Sequence, residues 1–248
     1  SLTSTRLAEM AGKKNNNNKR TPVRPVSTRP TGFYYILGAI ALIGASILVY
    51  SMARKPNGAV GTQAIANAGP IGIAQGYLTG KPDAPVKIEE FADFECPGCG
   101  QFATVTEPDV QKRIIDTGLA SLTYYDFPLP QHKNSQAASN AAACAADQGK
   151  FWEMHDAIFA SQDQWNTEAT DNPKPFFQRY AERLGINPVA WEACYDARTH
   201  QGRIMANAAE GERRHVNSTP TFFIGDKKYE GALPYDALKA IIDSASKK

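Results

Sequence analysis

The chain has 248 residues, of which 42% are hydrophobic and 21% charged, so it can bury a core of ordinary size in one or two domains. Its net charge of +2 hides an asymmetry: residues 1–32 carry seven Lys or Arg and one acidic residue, whereas residues 56–248 carry 18 basic and 24 acidic residues. Nucleic-acid binding requires a basic face on the folded part, and the sequence indicates none, so we expect no nucleic-acid partner.

The N-terminal third predicts a membrane anchor. Residues 1–32 are polar and rich in asparagine and proline, which is typical of a disordered tail. Residues 33–53 contain no charged side chain and, as a helix, would extend about 30 Å, enough to span a bilayer. The basic tail before this segment predicts a cytoplasmic N-terminus and a single-pass protein of the cytoplasmic membrane, with the remainder on the periplasmic side. Small residues flanking Met52 suggest a cleaved signal peptide as the alternative. Residues 54–79 predict a linker.

The remaining residues, 80–246, predict one folded domain. The predicted elements are a buried strand from Val86, a helix from Gln101 to Thr117, a strand from Ser121 to Phe127, a helical block at about 133–215, a strand at Thr221–Ile224 paired as a hairpin with Lys228–Glu230, and a helix from Pro234. Strands separated by helices predict an α/β fold with a central mixed sheet, into which the helical block is inserted.

Two cysteines lie at the junction of the first strand and the first helix. Cys96 would begin the helix, where free backbone N–H groups and the helix dipole favour an anion and therefore a thiolate. Cys99 lies one turn later, so the two sulfurs can form a disulfide. Pro97 suits the first turn of a helix, and Gly98 adds no side chain between the sulfurs. This arrangement predicts a redox pair in which Cys96 attacks and Cys99 resolves the mixed disulfide.

A Cys-x-x-Cys pair can also bind a metal or form a purely structural disulfide. Metal ligation needs two further ligands at a related spacing, and neither the other cysteines nor the four histidines provide such a pattern. A structural disulfide that spans four residues would stabilise little. We therefore expect no metal and no cofactor beyond the cysteine pair.

Three segments give the chain a family resemblance. FADFECPGC, residues 91–99, resembles the redox signature of the DsbA-like, exported branch of the thioredoxin superfamily. STPTFF, residues 218–223, resembles the segment that holds the family's cis-proline, and CAADQGKFWEMH, residues 144–155, resembles part of its helical insertion. The resemblance covers about residues 80–246 and implies a thioredoxin fold with an inserted helical domain.

The resemblance also implies roles for individual residues. Pro220 would be cis, with Thr219 facing the cysteine pair, and both would contact the substrate together with the Pro97-Gly98 dipeptide. Glu90 matches a buried acid that helps to move the proton of the resolving thiol. The alternative is that Glu90 is solvated and that Glu89, or neither residue, points inward. The dipeptide has no histidine, which leaves the oxidising power open.

Cys144 and Cys194 each lie on a predicted helix of the insertion. Outside the cytoplasm two such cysteines are expected to pair as a structural disulfide, which would stabilise a loop of this length by about 4 kcal/mol. Free buried thiols and a second redox relay are the alternatives. His132, in the loop after the second strand, either lies near the redox pair or caps the next helix.

Three functions are compatible with these features. The first is an oxidase that transfers the Cys96–Cys99 disulfide to cysteine-containing exported proteins and is reoxidised by a DsbB-like or VKOR-like membrane protein. The second is a reductase or isomerase that works from the dithiol form. The third is a non-catalytic chaperone or binding module that uses the helical insertion.

Overall fold

The computed structural model describes residues 72–247 together with positions 35, 40, 41 and 44. The predicted tail, most of the predicted membrane segment and most of the predicted linker lie outside the described residues. Among the helices of the described part, none is long and apolar enough to cross a membrane.

A five-stranded mixed sheet forms the centre of the domain. Its strands are β1 (Tyr77–Thr79), β2 (Val86–Ala92), β3 (Ala120–Asp126), β4 (Thr221–Ile224) and β5 (Lys227–Glu230). They are arranged in the order β1-β3-β2-β4-β5. The central pair, β2 and β3, is parallel, and the other three pairings are antiparallel. The carboxyl end of β2, which leads into the cysteine pair, is therefore held from both sides.

Within residues 72–247, eight helical segments surround the sheet. Helix α1 covers residues 97–115 and alternates between α-helical turns (Pro97–Gln101, Glu107–Val110) and π-helical turns (Phe102–Thr106, Gln111–Ile115). The others are α2 (Ser135–Ala146), α3 (Phe151–Phe159), α4 (Gln162–Trp165), α5 (Lys174–Arg183), α6 (Pro188–Ala197), α7 (Gln201–Arg213) and α8 (Tyr235–Ala245). Helices α2 to α7 lie between β3 and β4, where the sequence predicts an insertion.

The hydrophobic core has two main parts. One lies between the sheet, α1 and α8, and includes Ile88, Phe102 and Leu238. The other lies in the insertion and includes the fully buried Trp165 and Trp191. Cys96 and Cys99 belong to the second cluster, so the redox pair is located where the insertion packs against the start of α1.

Several element boundaries differ from the prediction; β3, for example, lies at Ala120–Asp126, one residue before the predicted strand. Strand β1 lies inside the stretch 54–79 that was predicted as linker, so the fold begins before Gly80; a three-residue edge strand is too short to show an alternating pattern. Helix α1 begins at Pro97, four residues before Gln101, which agrees with the prediction that Cys96 lies at the start of the helix. Strand β5 begins one residue earlier than predicted, at Lys227.

Candidate active site

Cys96 is the N-terminal capping residue of α1. Its backbone is extended (φ −72°, ψ 124°), Pro97 follows as the first helical residue, and the carbonyl oxygen of Cys96 accepts the N–H of Gly100 at 3.0 Å. Proline is compatible with this position because the first helical N–H has no partner within the helix. The strand-to-helix junction therefore places the Cys96 sulfur among unpaired N–H groups, with 9% of the residue exposed.

These surroundings favour the thiolate of Cys96. A hydrogen bond from the Cys99 thiol has the largest effect in lowering the pKa of Cys96 to about 5, and partial burial opposes it. The Thr219 side chain and the backbone N–H groups of Cys99 and Gly98 lower the pKa further. Cys96 is consequently the cysteine that is ionised at neutral pH and able to attack a disulfide.

The Thr219–Pro220 peptide bond is cis, and this loop faces the cysteine pair. As a thiol, Cys96 donates to the carbonyl oxygen of Thr219 at 3.2 Å. The Thr219 hydroxyl has no hydrogen-bond partner among the described residues, so it is available to donate to the thiolate. On the other side, a β-carbon added to Gly98 would lie 3.4 Å from Pro220 and 3.8 Å from the Cys96 sulfur. Thr219 thus contacts the Cys96 sulfur, and Gly98 lies against the Thr219–Pro220 loop.

Cys99 and Glu90 lie behind Cys96 and are fully enclosed. Cys99 is 0% exposed, and burial together with the neighbouring Cys96 raises its pKa well above the ordinary value. Glu90 is 2% exposed and pairs across the sheet with Tyr124 and Phe222. Burial raises the pKa of Glu90 to about 8, and its Oε2 atom has no hydrogen-bond partner within the described part of the chain. Of the two candidate acids, Glu90 therefore points inward, whereas Glu89 pairs with Arg214 at 2.8 Å.

Asp93 supports the site structurally, although no role was predicted for it from the sequence. Its buried carboxylate accepts hydrogen bonds from the N–H of Glu95 and of Leu129, both at 2.7 Å, and from the Ser135 hydroxyl. His132 Nδ1 lies 2.7 Å from the same carboxylate, which raises the pKa of His132. His132 therefore joins the Asp93 network, and these contacts fasten the loops on either side of the redox pair.

Gln162, in the insertion, also contacts the active-site turn and was missed. Its Nε2 atom donates to the carbonyl oxygens of Phe94 (2.7 Å) and Cys96 (3.0 Å). A β-carbon on Gly100 would lie 2.8 Å from the Gln162 Oε1 atom, so this glycine makes room for the glutamine. The sequence carried no signal for the contact, since the two segments are more than 60 residues apart.

Cys144 of α2 and Cys194 of α6 are joined by a disulfide with an S–S distance of 2.01 Å and a Cα–Cα distance of 5.8 Å. His200 lies close enough that the three side chains form a group of possible metal ligands within 4.8 Å. Because the two sulfurs are bonded to each other, they offer no thiolate to a metal.

The sequence of this chain is similar to those of several known proteins. A family model described as thioredoxin matches residues 74–244. A Na(+)/H(+) antiporter NhaA 3 of Salinispora tropica is 33% identical over 218 residues, which are 83% of this chain and 32% of the antiporter. The chain thus spans about a third of that relative's length. The disulfide bond formation protein D of Bacillus subtilis is 26% identical over 172 residues, which are 68% of this chain and 77% of that protein.

Solved structures agree on the fold. The crystal structure of Wolbachia pipientis alpha-DsbA1 has a TM-score of 0.63 at 23% identity and matches 71% of this chain and 94% of that one. The oxidised BdbD of Bacillus subtilis has a TM-score of 0.61 at 23% identity and matches 73% of this chain and 100% of that one.

Proposed function

This chain belongs to the thioredoxin family, and we propose that it is a thiol–disulfide oxidoreductase that oxidises the cysteines of exported proteins through a Cys96–Cys99 disulfide. The observation that carries the proposal is the stabilised thiolate of Cys96 at the start of α1. A thiolate stabilised in the reduced protein makes the disulfide more oxidising, because reduction then releases free energy at this sulfur.

The chemistry proceeds by two thiolate attacks. A substrate thiolate attacks the Cys96 sulfur, a mixed disulfide forms, and the Cys96–Cys99 bond breaks so that Cys99 leaves as a thiolate. Buried Cys99 takes a proton, which we assign to Glu90 because its pKa is raised to about 8 and it lies close enough to raise the pKa of Cys99. A second substrate thiolate then attacks the substrate sulfur, its disulfide forms, and Cys96 leaves as the stabilised thiolate. Two electrons have moved from the substrate to the pair.

The substrate surface would be formed by four residues around the Cys96 sulfur, namely Pro97, Gly98, Thr219 and Pro220. The bond to Cys96 and the small size of Gly98 would let an extended substrate approach the cis-proline loop. No cofactor besides the cysteine pair is required for these steps.

We also propose a location and a reoxidising partner. The uncharged segment 33–53 would anchor the chain in the cytoplasmic membrane, with the domain on the periplasmic side. A DsbB-like or VKOR-like membrane protein would accept the two electrons from the Cys96–Cys99 dithiol. The anchor would keep the two proteins in the same membrane.

A reductase or isomerase is the second candidate, and the same sulfur supports it. A pKa of about 5 for Cys96 lies between the values of about 3.5 for DsbA and about 7 for thioredoxin. The thiolate therefore fits either direction of exchange.

The reduction potential of the pair separates these candidates. The chain is equilibrated with glutathione buffers, and the fraction of Cys96–Cys99 disulfide is measured by alkylation and mass spectrometry. A potential of about −120 mV supports the oxidase, and one of about −270 mV refutes it in favour of a reductase. A chaperone or binding module predicts that the variant with Cys96→Ser and Cys99→Ser keeps full function in cells, whereas either redox activity predicts complete loss.

A further inference from the structure

A second acid, Glu107, is buried in the domain although the redox chemistry described above does not use it. Its side chain is 9% exposed, and its Oε2 atom has no hydrogen-bond partner among the described residues. Burial raises the pKa of Glu107 to about 8. An unpaired buried carboxyl group costs stability, so its presence needs an explanation.

Glu107 lies between the active-site acid and the protein surface. It belongs to α1, which covers the sheet face that carries Glu90, and the charge of Glu90 raises the pKa of Glu107. On the other side, its Oε2 atom is 3.9 Å from His155 Nε2, and His155 Nδ1 is 2.9 Å from the carboxylate of Asp156. The side chain of Asp156 is 73% exposed. Glu107, His155 and Asp156 therefore form a row that ends at the protein surface.

A surface cavity of about 710 Å³ reaches the same acid. Glu107 lines it together with Trp152 and Asp156, while Glu90 does not. Water in this cavity can exchange protons with Glu107. Glu90, at 2% exposure, is enclosed by the sheet and α1 and has no such contact with the cavity.

We propose that Glu107 is a positioning residue that carries protons between Glu90 and the cavity during each redox cycle. The inference rests on the proposed function, because it takes Cys99 and Glu90 as the proton donor and acceptor of the exchange. It adds a route by which the proton accepted by Glu90 reaches solvent, so that Glu90 can accept another proton in the next redox cycle. The Oε2 atoms of Glu90 and Glu107 both lack a hydrogen-bond partner among the described residues, so each can accept and release a proton.

The charges around Glu107 set when it releases a proton. The titratable groups that face it or line the cavity beside it are Glu90 on β2, His155 and Asp156 on α3, and Lys112 and Asp116 from the α1 region. Glu90 and Asp156 favour the protonated acid, and His155 favours the carboxylate.

The step is clearest when the reduced protein is oxidised by glutathione disulfide. Cys96 attacks one sulfur of glutathione disulfide, forms a mixed disulfide, and releases one glutathione thiolate. Cys99 then loses its proton to Glu90 as Glu90 passes a proton to Glu107, and Glu107 releases one to the cavity. The Cys99 thiolate attacks Cys96, the ring disulfide forms, and the second glutathione leaves. Two electrons move from the dithiol to glutathione disulfide.

The test is to measure this second step in Glu107→Gln as a function of pH. Reduced protein is mixed with glutathione disulfide and quenched with acid, and the mixed disulfide is quantified by mass spectrometry. We expect the ring-closing step at pH 7 to slow by at least about tenfold, within the range of general base catalysis, so that the mixed disulfide accumulates. In the wild type the rate of ring closure should rise with pH near 8, where both acids titrate, and in Glu107→Gln this rise should be smaller because only Glu90 remains. Glu153→Gln, on α3 but exposed and paired with Lys150, is the matched control and should behave as the wild type.

Two further variants separate proton transfer from packing. Glu107→Asp keeps a carboxyl group and should retain the wild-type pH profile at an intermediate rate. Glu107→Ala opens space next to the cavity, and added formate should restore its rate, which a packing defect would not allow. If Glu107→Gln and Glu153→Gln show the same rate and pH profile, or if formate restores nothing, the relay is refuted while the oxidoreductase remains. If the wild type itself forms no Cys96–Cys99 disulfide, the proposed function has failed instead.

Discussion

Lowering the pH through about 5 should change how many protons the cysteine pair takes up on reduction. Below the pKa of Cys96, reduction yields two thiols and consumes two protons; above it, Cys96 stays a thiolate and only Cys99 takes a proton, because the pKa of Cys99 is well above 9. For a two-electron couple each proton contributes about 30 mV per pH unit, so the slope should change from about −59 to about −30 mV per unit near pH 5. At pH 7, two units above that pKa, the thiolate stabilises the reduced form by about 2.7 kcal/mol, or about 60 mV.

Glutathione provides the reference for this measurement. Its thiols, with a pKa of about 8.5, take up two protons per two electrons throughout the acidic range. The equilibrium constant for reduction of the protein by glutathione should therefore be flat well below pH 5 and rise about fiftyfold between pH 5 and pH 7. It is obtained from the disulfide fraction after acid quench and alkylation. A constant that stays flat up to pH 7 would mean that Cys96 is a thiol there, and the electrostatic account of the site would be wrong.

Three further predictions concern the redox pair, the buried acid behind it and the disulfide of the insertion. Cys99→Ala should raise the pKa of Cys96, because the hydrogen bond that lowers this pKa most is lost, whereas Cys99→Ser keeps a donor. Titration of the thiolate by ultraviolet absorbance should show a smaller rise in pKa for the serine variant. Equal rises would contradict the role of this hydrogen bond. Glu90→Gln should stabilise the protein by about 3 kcal/mol at pH 7 and by little at pH 4. The pKa of Glu90 is about 8 in the folded protein and 4.5 in the unfolded chain, so the stability of the wild type falls as the pH rises between these values. Urea unfolding at both pH values tests this, and an equal difference at the two would exclude it. Replacing Cys144 and Cys194 together by alanine should lower the free energy of unfolding by about 4 kcal/mol, and a change under about 1 kcal/mol in urea would contradict the assigned role.

The redox pair could be predicted because its signal is local. A buried strand, a Cys-x-x-Cys spacing and a proline in the first helical turn all lie within about 15 residues, and each carries its own physical reason. The helical insertion could also be predicted, because its helices show apolar periodicity. The contact of Gln162 with the active-site turn could not be predicted, because it depends on how α4 packs against a segment more than 60 residues earlier.

The burial of Glu107 could not be predicted from the sequence for a different reason, which is the backbone geometry of α1. The N–H of Glu107 bonds to the carbonyl oxygen of Phe102, five residues back, so the turn before it is π-helical. Pro108 follows, and in a regular α-helix its ring would clash with the carbonyl group of Thr104. The extra residue in the turn advances every later side chain by about 100° around the axis, which moves the buried stripe away from the positions that a 3.6-residue period predicts. π-Helical turns are often found at functional sites. If the turn orients Glu107, Pro108→Ala should favour a regular α-helix, rotate Glu107 away from Glu90, and impair ring closure as Glu107→Gln does, although no ionisable group has been changed.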